Sequence, residues 1–464
     1  MIKFFKVNDP YRFGILTIVF IIIRALIFYF GSPLTQIELP FLLAARTISE
    51  GKWLYKDIWE TTEPLTTLVY YLLPKGPENF SVFSYWINVI LIIFNAFYAN
   101  YFLQKLDIFL DKTFLPALFY ILLSLTFFEL NVLSAPLLAS TFLLFVLNNA
   151  FSFLKKEDYN RLYDSGFFLG IASLFFLPCV AFIPSVLVTL LVFTRSQGKG
   201  YFLFLLGLLF PWTITCIVFL WIGGLNEFIN IFINHYFSNF KNFIFSTETL
   251  TIFLLPITLF ITGVIFSLKG NLREINFQSV SRKFLIFWLL SGMVCCLIST
   301  TKSFSLIYII IFPLTFFYTF NFLQIKKNFI PDLIIFAFII LSLYLQYRCL
   351  SGTLWQKTVY QYRVNKLHDT LIDGKNIWVS GENQEHYLYA NLSGKYLNWT
   401  VSKEDFNNTD KFYAIENIRK NFYSNLPEVI IDDSLRMPGI FDKIPQLKNR
   451  YILKDKSVYI RQRK

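Results

Sequence analysis

Charge is what this sequence has least of. Of its 464 residues only 16% are Asp, Glu, Lys or Arg, while 55% are hydrophobic and 20% aromatic. An ordinary soluble enzyme carries about a quarter charged residues, so that class is excluded. Histidine (three) and cysteine (five) are scarce as well. Cys179, Cys216, Cys295, Cys296 and Cys349 lie mostly inside apolar runs, with neither a CxxC pair nor a spaced framework, and they read as buried thiols rather than disulfides or metal ligands. His368 and His386 share no HxH or HxxxH spacing, so no zinc is expected. The net charge of +12 arrives without an Arg-rich motif or a nucleic-acid fold signature, and no nucleic-acid partner is expected. There is no internal repeat or low-complexity tract. No small-residue cleavage site follows the first apolar run, so Phe13 to Phe30 is expected to remain as a span.

What the sequence has instead is a series of apolar runs close to bilayer length, over roughly 12–31, 80–104, 113–128, 132–154, 201–222, 248–268, 284–300, 304–323 and 328–346. The expected fold class is therefore a polytopic α-helical membrane protein with about nine spans. Residues 166–193 carry Pro178 and Pro184 and are flanked by basic loops, which suits two half-depth helices that enter and return as a re-entrant hairpin. Lys3, Lys6 and Arg12 put the amino terminus in the cytoplasm, because short cytoplasmic loops collect Lys and Arg. Lys105, Lys112, Lys155, Lys156, Arg161, Arg195, Lys199, Lys269, Arg273, Arg282, Lys283, Lys326 and Lys327 then fall on that same side, provided the 166–193 segment returns to it. The loop 31–79 and everything after Tyr347 face outward. The spans hold almost no ionisable residues, which argues against a transporter.

In the outward tail the pattern changes. NIWVSG (376–381), PEVIIDD (427–433) and KSVYIRQ (456–462) are short strand-like runs between polar turns, so 347–464 is expected to form a small extracytoplasmic α/β domain beside a membrane domain of 1–346. The abundance of Phe, Ile, Asn and Lys with little Ala points to a bacterium, and hence to an inner (plasma) membrane with this domain in the periplasm or outside.

The loop 31–79 is the exception to the scarcity of charge: it carries Glu38, Arg46, Glu50, Lys52, Lys56, Asp57, Glu60 and Glu63. A carboxylate held where membrane meets water can take a proton from an acceptor hydroxyl, while basic neighbours neutralise a phosphate leaving group. The run Leu39 to Ile48 is amphipathic, and Trp53, Tyr55 and Trp59 are candidate interfacial anchors. Each charge taken singly also fits a solvated loop.

An acid directly after the first span, an Ala45-Arg46 pair, Gly51, the string Leu54-Tyr55 with Asp57, then Glu60 and Glu63-Pro64-Leu65 resemble the first outer loop of the GT-C superfamily of integral membrane glycosyltransferases. The bacterial branch related to protein mannosyltransferases and lipid A aminoarabinose transferases is the most similar. The loop motif covers about thirty residues, and the layout of the whole chain resembles the family too. The resemblance implies a cytoplasmic amino terminus, interfacial helices in this loop, and a small extracytoplasmic carboxy-terminal domain. It also implies a polyprenyl-phosphate sugar donor and a glycolipid, polysaccharide or protein acceptor.

The departures are specific. The family's acidic pair is Ile37-Glu38 here, leaving Glu38 as the catalytic candidate one position over. The proline pair is Glu63-Pro64, and the re-entrant segment reads LFFLPCVAF where relatives often carry a Lys. Substrate-binding candidates are Arg46, Asp57, Glu60 and Glu63 in the loop, and Glu129 in the tight turn between spans three and four, which also suits a helix cap. His235 on an outer amphipathic segment equally suits an interfacial histidine. In TKSFSLIYIIIFP (301–313), Lys302 and Tyr308 complete the set, although Lys302 also suits a snorkelling lysine. Asp57, Glu60 or Glu63 would orient sugar hydroxyls or hold a divalent Mg or Mn ion if the reaction needs one. The competing reading is a non-catalytic membrane scaffold or envelope assembly factor that keeps the architecture without the chemistry.

Overall fold

The structure is a computed structural model that describes residues 2–29, 34–193, 198–234, 236, 276–300, 303–324, 329–350 and 371–462. The expected span 248–268, and His235, Lys302 and His368, lie outside the described residues. Two compact units are present. The first comprises Met1–Ser32, Ser81–Cys216 and Asn242–Tyr360, and the second Pro33–Phe80, Ile217–Lys241 and Gln361–Lys464.

Six helices among the described residues are long and apolar enough to cross a bilayer: Tyr11–Tyr29, Pro77–Lys105, Ala135–Lys156, Gly198–Ile222, Phe277–Ile298 and Phe304–Gln324. The apolar run at 113–128 forms a shorter helix than expected, Leu115–Ser124, about 15 Å long at the usual rise per residue. At its end Ser124 Oγ donates to the Ile121 carbonyl (2.7 Å) and Thr126 Oγ1 to that of Leu123 (2.8 Å). The proline-bearing segment contains a helix Asn160–Phe175, an extended Phe176, a 3-10 turn Leu177–Phe182 and a second helix Ile183–Phe193. Pro178 has no N–H to continue the first helix.

In the first unit, glycines let helices approach closely. A Cβ on Gly166 would sit 2.0 Å from the Phe204 carbonyl oxygen, one on Gly170 2.5 Å from that of Leu208, and one on Gly207 2.2 Å from that of Tyr163. Gly166 and Gly170 form the small-xxx-small face that brings helices into backbone contact in a membrane, where van der Waals packing rather than the hydrophobic effect holds them together. Trp212 Nε1 adds a hydrogen bond to Ser173 Oγ (2.8 Å) across the same interface.

The second unit contains a five-stranded sheet of order β2-β1-β3-β5-β4, made of β1 Asn376–Val379, β2 Asn391–Leu392, β3 Val429–Ile431, β4 Tyr451–Asp455 and β5 Val458–Arg461. β1 runs parallel to β2 and β3, while β5 pairs antiparallel with β3 and β4. Helices Trp399–Asn407 and Phe412–Ser424 connect β2 to β3. Trp378 of β1 stacks on Phe406 (ring centroids 5.0 Å apart) within a core that also holds Ile418, Phe422, Ile430, Met437 and Phe441. The three expected strand-like runs thus become β1, β3 and β5.

The loop 33–80 folds into this second unit. Pro40 and Pro64 sit in the first turns of the helices Leu39–Ser49 and Pro64–Tyr71, where a missing N–H costs nothing. Gly51, at φ +87°, ends the first of them in the left-handed region that glycine tolerates. Tyr55, at φ +65°, takes the same region without that freedom, a strain of about 1–3 kcal/mol. Its ring is fully buried against Phe219, Phe228 and Phe232, and its hydroxyl donates to the Thr62 carbonyl (2.6 Å), which together hold it there. The expectation of three interfacial anchors is therefore corrected. Only Trp53 is exposed; Tyr55 points inward, and Trp59 packs edge-on against Tyr396 of the domain core.

Replacing Gly166 by Ala should force two backbones apart and lower the thermal stability of the purified protein by about 2 kcal/mol or more. Gly14→Ala, with nothing within 4 Å of its Cβ, should leave melting unchanged. Equal melting of the two variants in one detergent would refute the close-packed interface.

Candidate functional site

In the second unit two of the loop's acids, Glu38 and Glu60, are buried, and Glu63 is half-buried. Glu38, the residue before the helix Leu39–Ser49, is buried and accepts from Thr35 Oγ1 (3.0 Å) and Thr35 N (3.4 Å). Glu60 is buried more completely and is held on both oxygens. Its Oε1 accepts from Thr61 N (2.8 Å) and Asn398 Nδ2 (2.5 Å), and its Oε2 from Gln384 Nε2 (3.0 Å). Burial raises the Glu60 carboxyl above its usual range, and these hydrogen bonds act against that rise. Glu63, just before the helix Pro64–Tyr71, is pushed up to about 8, chiefly by desolvation and further by Glu60; only its own backbone opposes the shift. At neutral pH it carries its proton.

Two tyrosines report how close these acids are. Burial raises Tyr70 well above the ordinary phenol range, and the charges of Glu38 and then Glu63 add to it. Tyr55 is raised likewise by burial, then by Glu63 and Glu60. Glu38 and Glu63 thus share the surroundings of one phenol, and Glu60 and Glu63 those of the other. Like charges so placed disfavour one another in a desolvated interior, and both Glu60 and Glu63 are raised.

The remaining loop candidates hold the fold locally. Asp57 accepts from Trp53 N (3.0 Å) and closes a turn. Arg46 donates to the Leu388 carbonyl (3.0 Å) and to Asn391 Oδ1 (3.2 Å), so part of its guanidinium is committed to the α/β domain. Lys56 Nζ donates to the Ile222 carbonyl (2.7 Å). Among the described residues no three His, Cys, Asp or Glu side chains are disposed to hold a metal ion. Asp57 and Glu60, engaged as above, do not fit a Mg or Mn site.

Sequence reasoning missed the residues that fix Glu60. Asn398 lies in an NWT sequon, which reads as a chance tripeptide, yet its Nδ2 contacts Glu60 and Thr61 Oγ1 (3.1 Å) while its Oδ1 caps the helix Trp399–Asn407 through Thr400 N (2.9 Å). Trp59 N donates to the Lys395 carbonyl (2.7 Å) and the Trp59 carbonyl accepts from Asn398 N (3.0 Å), which ties loop to domain by backbone alone. No spacing in the sequence announces contacts between residues more than three hundred positions apart.

In the first unit, Glu129 and Tyr308 come to one place. Glu129 lies buried in the 3-10 turn Phe128–Asn131, and its Oε2 accepts from Phe304 N (2.5 Å), while Phe127 and Phe304 stack at 4.3 Å. Tyr308 is buried and its hydroxyl donates to the Leu130 carbonyl. Asn88 Nδ2 reaches both the Tyr308 hydroxyl (3.3 Å) and the Val132 carbonyl (2.8 Å). At the centre is a residue that the reading of nearly charge-free spans passed over. Arg24, in the first span, is fully buried and donates from Nη2 to Asn88 Oδ1 (2.6 Å) and the Leu130 carbonyl (3.0 Å). Its signal in the sequence is one arginine inside IVFIIIRALIFYF.

A family model described as a family of unknown function, DUF6427, matches residues 65–354, more than half of the chain. No curated protein matches. Among solved structures, the crystal structure of ArnT from Cupriavidus metallidurans bound to undecaprenyl phosphate is similar, with a TM-score of 0.54 and 12% identity over 95% of this chain and 97% of that one. The likeness gives this chain a GT-C-like fold, and with its apolar helices it is an integral, polytopic membrane protein.

The raised Glu63 carboxyl has a consequence for stability. Between the unfolded value near 4.5 and about 8 the folded chain holds a proton that the unfolded chain has released, so this group's contribution is full at low pH and is lost as pH rises through that window. Glu63→Gln should remove that slope. From pH 5 to 8.5 the wild-type melting temperature should fall relative to the variant by roughly 1–2 °C per pH unit. Parallel curves would show that Glu63 is solvated and ionised throughout.

Proposed function

The chain belongs to the family of unknown function DUF6427, and we propose that it is a membrane glycosyltransferase moving a sugar from a polyprenyl-phosphate carrier to a glycolipid, polysaccharide or protein acceptor on the outer side. The observation that carries this reading is the group of acids on the loop 33–80, with Glu38 and Glu63 both beside the Tyr70 phenol. The GT-C-like fold supports it, and the undecaprenyl phosphate bound by ArnT supports a lipid-phosphate donor.

In this mechanism Glu38 takes the proton of the acceptor hydroxyl as its oxygen bonds to the anomeric carbon. The bond from that carbon to the phosphate oxygen breaks, its electron pair leaves with the polyprenyl phosphate, and the configuration inverts. Glu63, protonated, donates a hydrogen bond to a sugar hydroxyl, and Asp57 orients another. Glu60, with both oxygens occupied, positions the loop rather than reacting. Arg46 keeps donors beyond the two it uses, and with Lys302 it balances the departing phosphate. We assign Glu129 and Tyr308 to donor binding and His235 to acceptor binding, and the α/β domain to selecting the acceptor. The amino terminus is cytoplasmic and this domain extracytoplasmic.

One observation favours the scaffold reading: Glu60, Asp57 and Arg46 all have structural partners, as residues kept for folding would. Deleting the gene and comparing surface glycans and lipid-linked sugars by mass spectrometry separates the two. Wild type should restore a missing sugar, while Glu38→Gln at equal expression should restore about a hundredth of it or less. Full restoration by Glu38→Gln would place the base elsewhere, and unchanged glycans in the deletion strain would favour the scaffold.

A further inference from the structure

We infer that Arg24 binds the phosphate of a lipid carrier from within the first unit, an assignment that rests on the transferase reading above. Arginine is always charged and has five N–H donors. Two of them, on Nη2, meet Asn88 Oδ1 and the Leu130 carbonyl, whereas Nε and Nη1 are buried with no hydrogen-bond partner. The groups around the cation are neutral: the Phe20 and Tyr85 rings at 5.3 and 5.5 Å, the Tyr308 hydroxyl, the Asn88 amide and the Leu130 carbonyl. Among the described residues no carboxylate forms an ion pair with it. Burying a charge without a counter-charge is costly, and breaking up a buried pair is more so than never making one; a guanidinium kept in this state fits an anion that arrives with a ligand.

The position suits a lipid. Arg24 lies in the carboxy-terminal half of the helix Tyr11–Tyr29, four residues, about 6 Å, past its midpoint and five residues, about 8 Å, from its end. Ile21, Ile22 and Leu26 on the same helix are exposed apolar side chains that an isoprenoid tail can lie against. The guanidinium is also held rigidly. Asn88 is fixed by the Val132 carbonyl and the Tyr308 hydroxyl, and the Tyr85 hydroxyl donates to the Arg24 carbonyl (2.6 Å), so two donors are locked and the other two nitrogens remain for the phosphate oxygens. Charge-assisted bonds from arginine to phosphate are strong because the planar fork matches the oxygens.

The test uses the full-length protein in nanodiscs of zwitterionic lipid, with bound lipid read by native mass spectrometry. Wild type should retain undecaprenyl phosphate over undecaprenol, and Arg24→Gln should bind it at least about tenfold more weakly. If Arg24→Gln does not fold, Asn88→Asp carries the test, since a carboxylate 2.6 Å from Nη2 supplies the counter-charge internally and should displace the phosphate to the same degree. Wild-type affinity in either folded variant overturns the assignment. Equal competition by phosphatidylglycerol would assign the site to headgroups, and equal competition by inorganic phosphate to a free ion; either overturns the carrier. Arg24-dependent binding without any glycan change on gene deletion would sink the transferase reading alone, while a Glu38-dependent glycan without Arg24-dependent binding would sink this one alone.

Discussion

The carboxylate of Glu60, buried and held from three directions, is the constraint on which the second unit depends. Asn398, Gln384 and the Thr61 amide fill its two oxygens, and the backbone of Trp59 is bridged to Lys395 and Asn398 on either side. A desolvated carboxylate is tolerable only when its lone pairs are met, so loop and domain have to fold onto each other for either to satisfy its polar groups. That coupling fixes where the helices Leu39–Ser49 and Pro64–Tyr71 begin. It thereby places Glu38 and Glu63, the residues at their starts. Tyr55 shows the same logic from the strained side: its left-handed backbone persists because three phenylalanines and the Thr62 carbonyl over-determine its ring and hydroxyl.

Each unit keeps ionisable groups out of water. The second collects carboxylates and keeps one of them neutral by desolvation. The first keeps one guanidinium among aromatic rings and amides. A guanidinium buried without a counter-charge costs stability, and a group retained at such cost is a candidate for binding rather than for the fold.

The membrane architecture was legible because it depends on composition over long windows. The runs at 12–31, 80–104 and 132–154 became the helices Tyr11–Tyr29, Pro77–Lys105 and Ala135–Lys156 within a few residues. The run at 113–128 shows the limit: average hydropathy does not register where within an apolar run a helix stops. Strands β1, β3 and β5 were legible from β-branched and aromatic clusters, whereas β2, two residues long, exists only through pairing with β1. Of the candidate site, the loop acids stood out because they interrupt a greasy sequence. Tyr55 and Trp59 were misread as interfacial anchors because aromatic residues near a membrane suit both lipid and core. Arg24 was hidden by its surroundings, and Asn398 and Gln384 by distance along the chain.

The central claim, that the α/β domain holds the acid-bearing loop in place through Glu60, is tested most directly by hydrogen–deuterium exchange on the full-length protein and its Asn398→Ala variant. Exchange of the backbone amides over 53–62 should rise by about tenfold or more in the variant, while β1, β3 and the spans keep wild-type protection. Unchanged protection of 53–62 in a variant whose sheet is intact would contradict the account.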